Sequence, residues 1–298
     1  MEYSKPPLTV KQQIELLKAR NVVFENYDNA VAALSNISYY RISSYLYPYR
    51  IQNDPNQAYM PNTSFDEIIK IYSFDRKLRL LLFDSIERIE IAFRTQLISQ
   101  LSMIYHPGWY YCRELFINPE SFDRTIKCFK REYKISNELF IRHYKDKYSY
   151  PEFPPAWMGL EIFSFGLLSR HFENLLDKSA KQKVADYFNL RLPVFTSWMH
   201  SIAYVRNICA HHSRLWNRTL AVKPVIPHAK NLNWLTYNKV DNSRLYFFLC
   251  IIKFLLDIAH PNHSFPKKLT TLLDGYPLIC LEDMRFDPNW RNDKHWAQ

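Results

Sequence analysis

Glycine is nearly missing from this sequence, at 4 of 298 residues. So few glycines leave little material for glycine-rich phosphate loops or for many tight β-turns. Neither GxGxxG nor GxxxxGK occurs, which excludes Rossmann and P-loop nucleotide sites. Paired cysteines are missing as well. Cys112, Cys128, Cys209, Cys250 and Cys280 are odd in number and form no CxxC. That argues against a disulfide framework or a cysteine-based zinc site, and for buried, reduced thiols. There is no long apolar run either. The most apolar stretch, YFFLCIIKFLLDIA at residues 246–259, is too short to span a bilayer and carries Lys253 and Asp257. The opening MEYSKPPLTVKQQ lacks the apolar centre of a signal peptide. The expectation is a soluble, cytoplasmic protein with no membrane partner.

The last absence is local. Between Asp186 and Asp241 there is no Asp or Glu, while the interval holds Arg191, Arg206, Arg214, Arg218, Lys223, Lys230 and Lys239. Carboxylates repel phosphate, so an acid-free stretch of this kind suits a phosphate-facing surface. A chance gap, or a face packed on an acidic neighbour, gives the same pattern. The whole chain carries a formal charge of +10 with a pI near 9.2, which favours a polyanionic partner without naming one.

What is present reads as helix. Hydrophobic residues make up 47% of the chain, enough for a real core, and the 21 Tyr and 20 Phe raise the aromatic share to 16%. Thr9 is placed to cap a helix through VKQQIELLKAR, and a second short helix follows Asp28. YYRISSYLYPYR (39–50) is tyrosine-rich and ends at Pro48, and a polar, proline-containing loop leads to Ser64. Ser64 and Glu67 form a capping-box pattern at the head of the strongest helix, which runs to His106-Pro107-Gly108. Along it Ile68, Ile71, Tyr72, Leu78, Leu82, Ile86, Ile89 and Phe93 recur at three- and four-residue steps. Further helices are expected at 120–134, 137–147, 156–176, 179–188, 193–212, 242–259 and 266–274. Residues 219–240 and the tail read as irregular. The fold class is therefore all-α, divided into an N-terminal helical extension over 1–62 and a helical domain over 63–298.

The segment YVRNICAHHSRLWNR (204–218) concentrates the chemistry. In metal-free RNA cleavage, a ribose 2′-OH attacks the adjacent phosphorus. Histidine handles protons near neutral pH, and arginine stabilises charge building on the phosphoryl oxygens. Arg206 and His211 supply both functions, and Asn207 adds a neutral donor and acceptor. Asn207 and His211, four apart, share a helix face; Arg206 and His211, five apart, stand about 140° apart on an ideal helix. They converge only where the helix ends or distorts, or where two copies meet. Arg214 and Arg218 are four apart and can form one cationic strip. A buried helix with a basic rim is the plain reading of the same letters. Cys209, between Ile208 and Ala210, reads as a structural thiol.

Other candidates have equally plain readings. Arg41 is either a second phosphate contact or a residue packed against the long helix. Tyr39, Tyr40, Tyr45, Tyr47 and Tyr49 either stack on bases or fill core and interfaces. Asp84, Glu87 and Glu90 alternate with Arg79, Arg88 and Arg94, so they read as a salt-bridged helix face rather than a metal site. His260 and His263 are separated by Pro261, which argues against a regular helical ligand pair.

Long pieces of the chain, in order, resemble the Abi-like (AbiD/AbiF-type) family of abortive-infection proteins, which is placed in the HEPN superfamily of helical ribonuclease domains. They are KPPLTVKQQIELLKAR, ISYYRISSYLYPYR, TSFDEIIKIYSFDRKLRLLLFDSIERIEIAFRTQL, PPAWMGLEIFSFGLLSRHFENL and SWMHSIAYVRNICAHHSRLWNR, covering about residues 5–220. The resemblance implies an HEPN-like helical bundle with an N-terminal extension and additional C-terminal helices. It also implies metal-independent endoribonuclease activity at an R-x4-6-H motif, without a cofactor or a metal. That motif maps onto Arg206, Asn207 and His211, and His212 lies within the allowed spacing too. His212, Arg214, Arg218 and Arg41 follow as RNA-binding candidates. HEPN domains usually pair two motifs across a dimer, so one motif per chain implies a homodimer. Some proteins of this type are associated with a small structured RNA, a second partner class beside RNA as substrate. Two rival classes stay open: a non-catalytic module that grips a structured RNA, and an adaptor whose basic surface meets an acidic protein.

Overall fold

A computed structural model of the chain describes residue 2 and residues 6–227 and 240–296. Lys230, Lys239 and most of the segment expected to be irregular between 219 and 240 lie outside the described residues. The fold is all-α, and the apolar periodicity explains why. The helix α4 (Phe65–Ile104) holds 40 residues, about 60 Å at 1.5 Å per residue. Its apolar stripe is buried: Ile68, Ile71, Phe74, Leu78, Leu82, Ile86, Ile89, Phe93, Leu97 and Leu101 are at most 1% exposed. Tyr72, expected in the same stripe, is only partly buried and meets Tyr45 edge-on at 5.4 Å. Ser64 caps the helix by accepting from the Glu67 N–H at 3.3 Å. The capping box is half formed, since no return bond runs from the Ser64 N–H to the Glu67 carboxylate; the Ser64 hydroxyl also donates to Glu25 Oε1 at 3.2 Å.

The other helices wrap α4. Before it come α1 (Val10–Ala19), with a complete Thr9–Gln12 capping box, α2 (Tyr27–Asn36) and α3 (Tyr39–Leu46). The cap of α2 is Asn26, so that helix starts two residues earlier than Asp28 suggested. Two-residue strands, β1 (Val22–Val23) and β2 (Thr63–Ser64), pair in parallel with Val22 opposite Thr63, and so tie the N-terminal helices to the head of α4. The hydrophobic core continues without a break from Ile14 and Leu17 through α4, across residue 62.

After α4 come α5 (Pro119–Ile135), α6 (Leu139–Lys147), α7 (Ala156–Gly159), α8 (Phe165–Glu173), α9 (Lys178–Tyr187) and α10 (Leu192–Ala210). The single helix expected over 156–176 is broken. Phe163 turns extended, and Ser164 restarts the chain as a new N-cap, accepting from the Leu167 N–H at 3.3 Å. Beyond α10 lie α11 (Leu245–Ala259) and α12 (Phe265–Asp274). The tail is irregular, as expected, yet it is packed: Trp290, His295 and Trp296 are buried, and Trp296 meets the α11 residue Tyr246 at 6.3 Å.

Glycine scarcity shows in the backbone. Left-handed conformations fall on Asn21, Asn53, Gln57, Asn62, Asn189, His212, Asn217 and Arg285, and on no glycine among the described residues. Asparagine tolerates that region through its short polar side chain; histidine and arginine bear more of the steric cost. The cysteines are all free. Cys209 and Cys250 are buried as expected, but Cys128 and Cys280 are exposed, since they sit on outer helix and tail positions that no apolar period covers. No helix among the described residues is long and apolar enough to cross a membrane.

Candidate functional site

The helix α10 ends inside the motif. His211 is the C-cap; the His212 N–H bonds Cys209 O at 3.1 Å and the Ser213 N–H bonds Ile208 O at 3.0 Å. This pair of bonds is a Schellman ending, which needs a left-handed residue after the cap. Here that residue is His212, at φ 56°, where glycine is usual. A non-glycine residue in this region costs roughly 1–3 kcal/mol and persists only where its surroundings fix it. Two contacts do so. The Arg41 guanidinium, from α3, donates to the His212 carbonyl. Immediately beyond, the Leu215 and Trp216 N–H groups donate to the Asp75 carboxylate of α4, the latter at 2.7 Å.

Asp75 is wholly buried. It also accepts from the Tyr45 hydroxyl at 2.6 Å and from the Arg79 guanidinium one turn on. Burial pushes the Asp75 carboxyl up, against the pull of Arg79, Tyr45 and the two main-chain donors. A buried charge of this kind is tolerable only when paired and saturated with donors, as it is here. Sequence reading overlooked this clamp. Its signal was present: Asp75 and Arg79 are an i,i+4 opposite-charge pair on the same helix face as Ile71, Leu78 and Leu82.

Between α3 and this helix end lies a groove of about 520 Å³. Its walls are Ser38, Tyr40, Arg41 and Ser44 on one side and His211, His212, Ser213, Arg214 and Arg218 on the other. No carboxylate is among these lining residues. Both histidines are exposed; Tyr40 is 88% exposed at the lip, while its neighbour Tyr45 is core. The tyrosine run thus divides, with Tyr40 and Tyr47 (66% exposed) outward and Tyr45 inward. Arg214 is half-buried, and burial pulls its guanidinium below the usual arginine range, against the pull of Asp75. Its Nη1 is fully buried with no hydrogen-bond partner. Arg218 Nη1 donates back to the main-chain Arg214 O at 3.3 Å, and both arginines line the groove from irregular chain rather than from a helix.

Arg206 faces elsewhere. It lines a second depression of about 340 Å³, with Phe83, Glu87, Glu90, Ile91 and Arg94 of α4 and with Glu161. Its Nε lies 3.6 Å from Glu90 Oε2, and its guanidinium sits 5.4 Å from the Phe83 ring centroid. Glu90 is shared with Arg94 (2.9 Å), which also reaches Glu161 (3.2 Å). Within one chain the motif's arginine and histidine therefore open onto different cavities. The acid-free interval is acid-free in sequence only, because Glu90 meets Arg206 and Asp75 meets residues 215 and 216 from α4. Asn207 is exposed and reaches toward α8 at Gly166, where an added Cβ would lie 3.8 Å from its Nδ2. The bond between Asn207 and His211 is main-chain, from the His211 N–H to Asn207 O at 3.0 Å.

The remaining candidates fall as follows. Arg88 pairs with Asp84 (3.4 Å) and Arg94 with Glu90, so the charged face of α4 is salt-bridged; Arg79 pairs instead with Asp75. His263 is held by Asp257 at 2.8 Å, and His260 caps α11. Among the described residues no group of three or more His, Cys, Asp or Glu is placed to hold a metal ion. Cys209 is buried, and burial pushes its thiol up to about 12, which leaves it a poor nucleophile.

Fold and site thus define an all-α protein whose arginine and histidine candidates gather where α10 ends against α3 and α4. The chain belongs to the Abi-like protein family, whose model matches residues 32–217, from α2 to the left-handed Asn217. That span contains the Arg206 depression and every lining residue of the groove but Arg218, and the family points to abortive infection and phage defence. Comparison with curated proteins and with solved structures gives no match.

Proposed function

We propose that the protein is a metal-independent endoribonuclease of HEPN type, acting in phage defence on RNA held in the groove between α3 and the end of α10. The observation that carries this reading is the groove itself. Three arginines and two exposed histidines line it with no carboxylate among them. Phosphate enters such a field without repulsion, and imidazoles stand beside it. In the reaction, the 2′-oxygen attacks phosphorus as its proton passes to the imidazole of His211. The P–O5′ bond breaks, and the departing oxygen takes a proton from an imidazolium. The products are a 2′,3′-cyclic phosphate and a 5′-hydroxyl. Arg41, Arg214 and Arg218 offset the charge on the phosphoryl oxygens. His212 stands beside His211 as the alternative base.

Arg206 enters this scheme through a second copy of the chain. Two copies meeting along the exposed end of α10 would bring two motifs to one cleft, with Arg206 exchanging Glu90 for phosphate. A non-catalytic RNA-binding module is the second reading, and the Arg206–Glu90 contact favours it. The deciding experiment is incubation of the purified protein with RNA in EDTA, followed by end-group analysis of fragments. Cyclic-phosphate ends are expected. Activity that requires a divalent ion overturns the histidine mechanism, and salt-sensitive RNA binding with no cleavage at any protein concentration supports the binding module.

A further inference from the structure

On another face of α4 lies a cavity of about 660 Å³ that the proposed activity does not use. It is formed by Lys77 of α4, by Ser264, Lys267, Lys268 and Thr271 of α12, and by Tyr276 just beyond. Lys77 is two residues from Asp75, about 200° around an ideal helix. The cavity therefore opens on the side of α4 away from the groove that Asp75 supports.

Three lysines line this hollow, and no carboxylate is among its lining residues. Of the nearby carboxylates only Asp84 reaches a lining lysine, Lys268, and it is shared with Arg88. Asp274 pairs with Arg291 at 2.5 Å, and Asp84 is 3.4 Å from Arg88 and 3.9 Å from Lys268. The Lys77 ammonium rests 5.0 Å from the Tyr276 ring centroid, and Phe74 packs against that ring at 5.6 Å. The head of α12 is unusually open to an anion. Its cap, Ser264, makes no side-chain cap bond; the Phe265 N–H is taken by His263 Nδ1 at 3.2 Å; Pro266 has no N–H; and the Lys268 N–H bonds Ser264 O at 2.9 Å. The Lys267 N–H is thus left without a capping partner, beside its own ammonium, at the positive end of the helix dipole.

We propose that this cavity binds a compact polyphosphate anion of the pyrophosphate class, as a ligand site separate from the RNA groove. Two linked phosphoryl groups carry about three negative charges near neutral pH, which suits Lys77 and Lys267 together with Lys268, whose charge Asp84 offsets only in part at 3.9 Å. The volume lies within the roughly 300–1,000 Å³ of small-ligand pockets. A nucleic-acid strand fits less well. Its backbone offers one charge per phosphate, and Lys77 covers the one aromatic ring on which a base would stack.

The test is calorimetric titration of the full chain with pyrophosphate, inorganic phosphate and a single-stranded RNA oligomer, with no cleavage readout. Pyrophosphate should bind at one site per chain, and K77Q/K267Q should weaken it about tenfold or more. Arg76→Gln, which removes one charge from a neighbouring exposed position on α4, should have little effect, and so should R41Q/R218Q. RNA affinity should respond in the opposite way, falling in R41Q/R218Q and holding in K77Q/K267Q. No pyrophosphate binding at about 1 mM overturns the proposal. So does weakening no greater than that of Arg76→Gln, or loss of pyrophosphate binding in R41Q/R218Q. An RNA affinity that falls with the lysines would show instead a patch of RNA-binding surface. Failure of the ribonuclease reading leaves these outcomes unaltered, since none depends on turnover.

Discussion

Two depressions flank the end of α10, and both are lined by arginine, yet their electrostatics are opposed. The groove at His211 gathers Arg41, Arg214 and Arg218 with no lining carboxylate, while the depression at Arg206 surrounds two arginines with Glu87, Glu90 and Glu161. Along the chain the two regions look alike, since Arg206 and Arg214 belong to one acid-free interval. The long helix separates them. It delivers Glu90 to Arg206, whereas α3 delivers Arg41, 171 residues from its partner His212, to the groove. A cationic stretch of sequence becomes a cationic surface only where folding brings no carboxylate to it. Arginine lining therefore predicts phosphate affinity on one side of α10 and ion pairing on the other.

The sharpest way to break this comparison is to remove the proton-transfer group and keep the field. His211→Ala should lower RNA cleavage about 10²- to 10⁴-fold, the usual contribution of general acid–base catalysis. RNA affinity should change far less, because the three groove arginines remain. Paired cleavage and filter-binding assays check this. Full activity in a folded His211→Ala protein removes His211 from the mechanism.

The next largest effect concerns what holds the groove in place. Asp75→Ala strips the counter-charge from buried Arg79 and the acceptor from the Leu215 and Trp216 N–H groups. Breaking a buried pair from one side costs about 3–5 kcal/mol, against a total stability of roughly 5–15 kcal/mol for a typical protein. The denaturation midpoint should fall accordingly. A loss below about 1 kcal/mol would mean that residues 212–216 are held by packing alone.

Much of this architecture was legible beforehand, and the exceptions share a cause. The stripe on α4 and the ends of α1, α9 and α10 follow from local periodicity and capping. The break at Phe163–Ser164 was also local, since Ser164 has the cap geometry toward Leu167, but the apolar period on both sides masked it. The Arg206–Glu90 contact and the Asp75 bonds to Leu215 and Trp216 join residues 116 or more apart, and no window of sequence contains both members. The buried tail is of the same kind, because Trp290 and Trp296 find their pocket only once α11 and α12 are in place. The motif itself was readable as a set of residues; which cavity each one faces was not.

A smaller effect separates the two depressions by their salt dependence. Each phosphate contact contributes about 0.7–0.9 to the slope of log K against log salt. R41Q/R218Q should therefore lower the slope by between one and two. Arg206→Ala should barely change it, since Glu90 already offsets that charge. Glu90→Gln at neutral pH should raise RNA affinity by freeing Arg206. Burial already raises the Glu90 carboxyl, opposed by Arg94 and Arg206, so mild acid should act in the same direction as the substitution. A steep slope loss in Arg206→Ala would show that Arg206 meets phosphate in the resting protein, and would erase the contrast between the two sides.

The smallest expected effect decides between the adjacent histidines. His212 occupies the left-handed position of the Schellman ending, so its backbone and its side chain make separate demands. Glycine meets the backbone demand without steric cost but adds entropy to the unfolded chain. These terms oppose one another, so His212→Gly should change stability by no more than about 1 kcal/mol in either direction. The Arg41 bond goes to the His212 carbonyl and survives the substitution. The groove therefore keeps its shape and its three arginines, and loses one imidazole. If His211 is the base, cleavage in His212→Gly stays within a few-fold of the parent. His212→Ala retains a Cβ at φ 56° and should be the less stable of the two, which separates backbone strain from side-chain chemistry. Loss of cleavage by about 10²-fold or more in a fully stable His212→Gly protein would transfer the proton-handling role from His211 to His212.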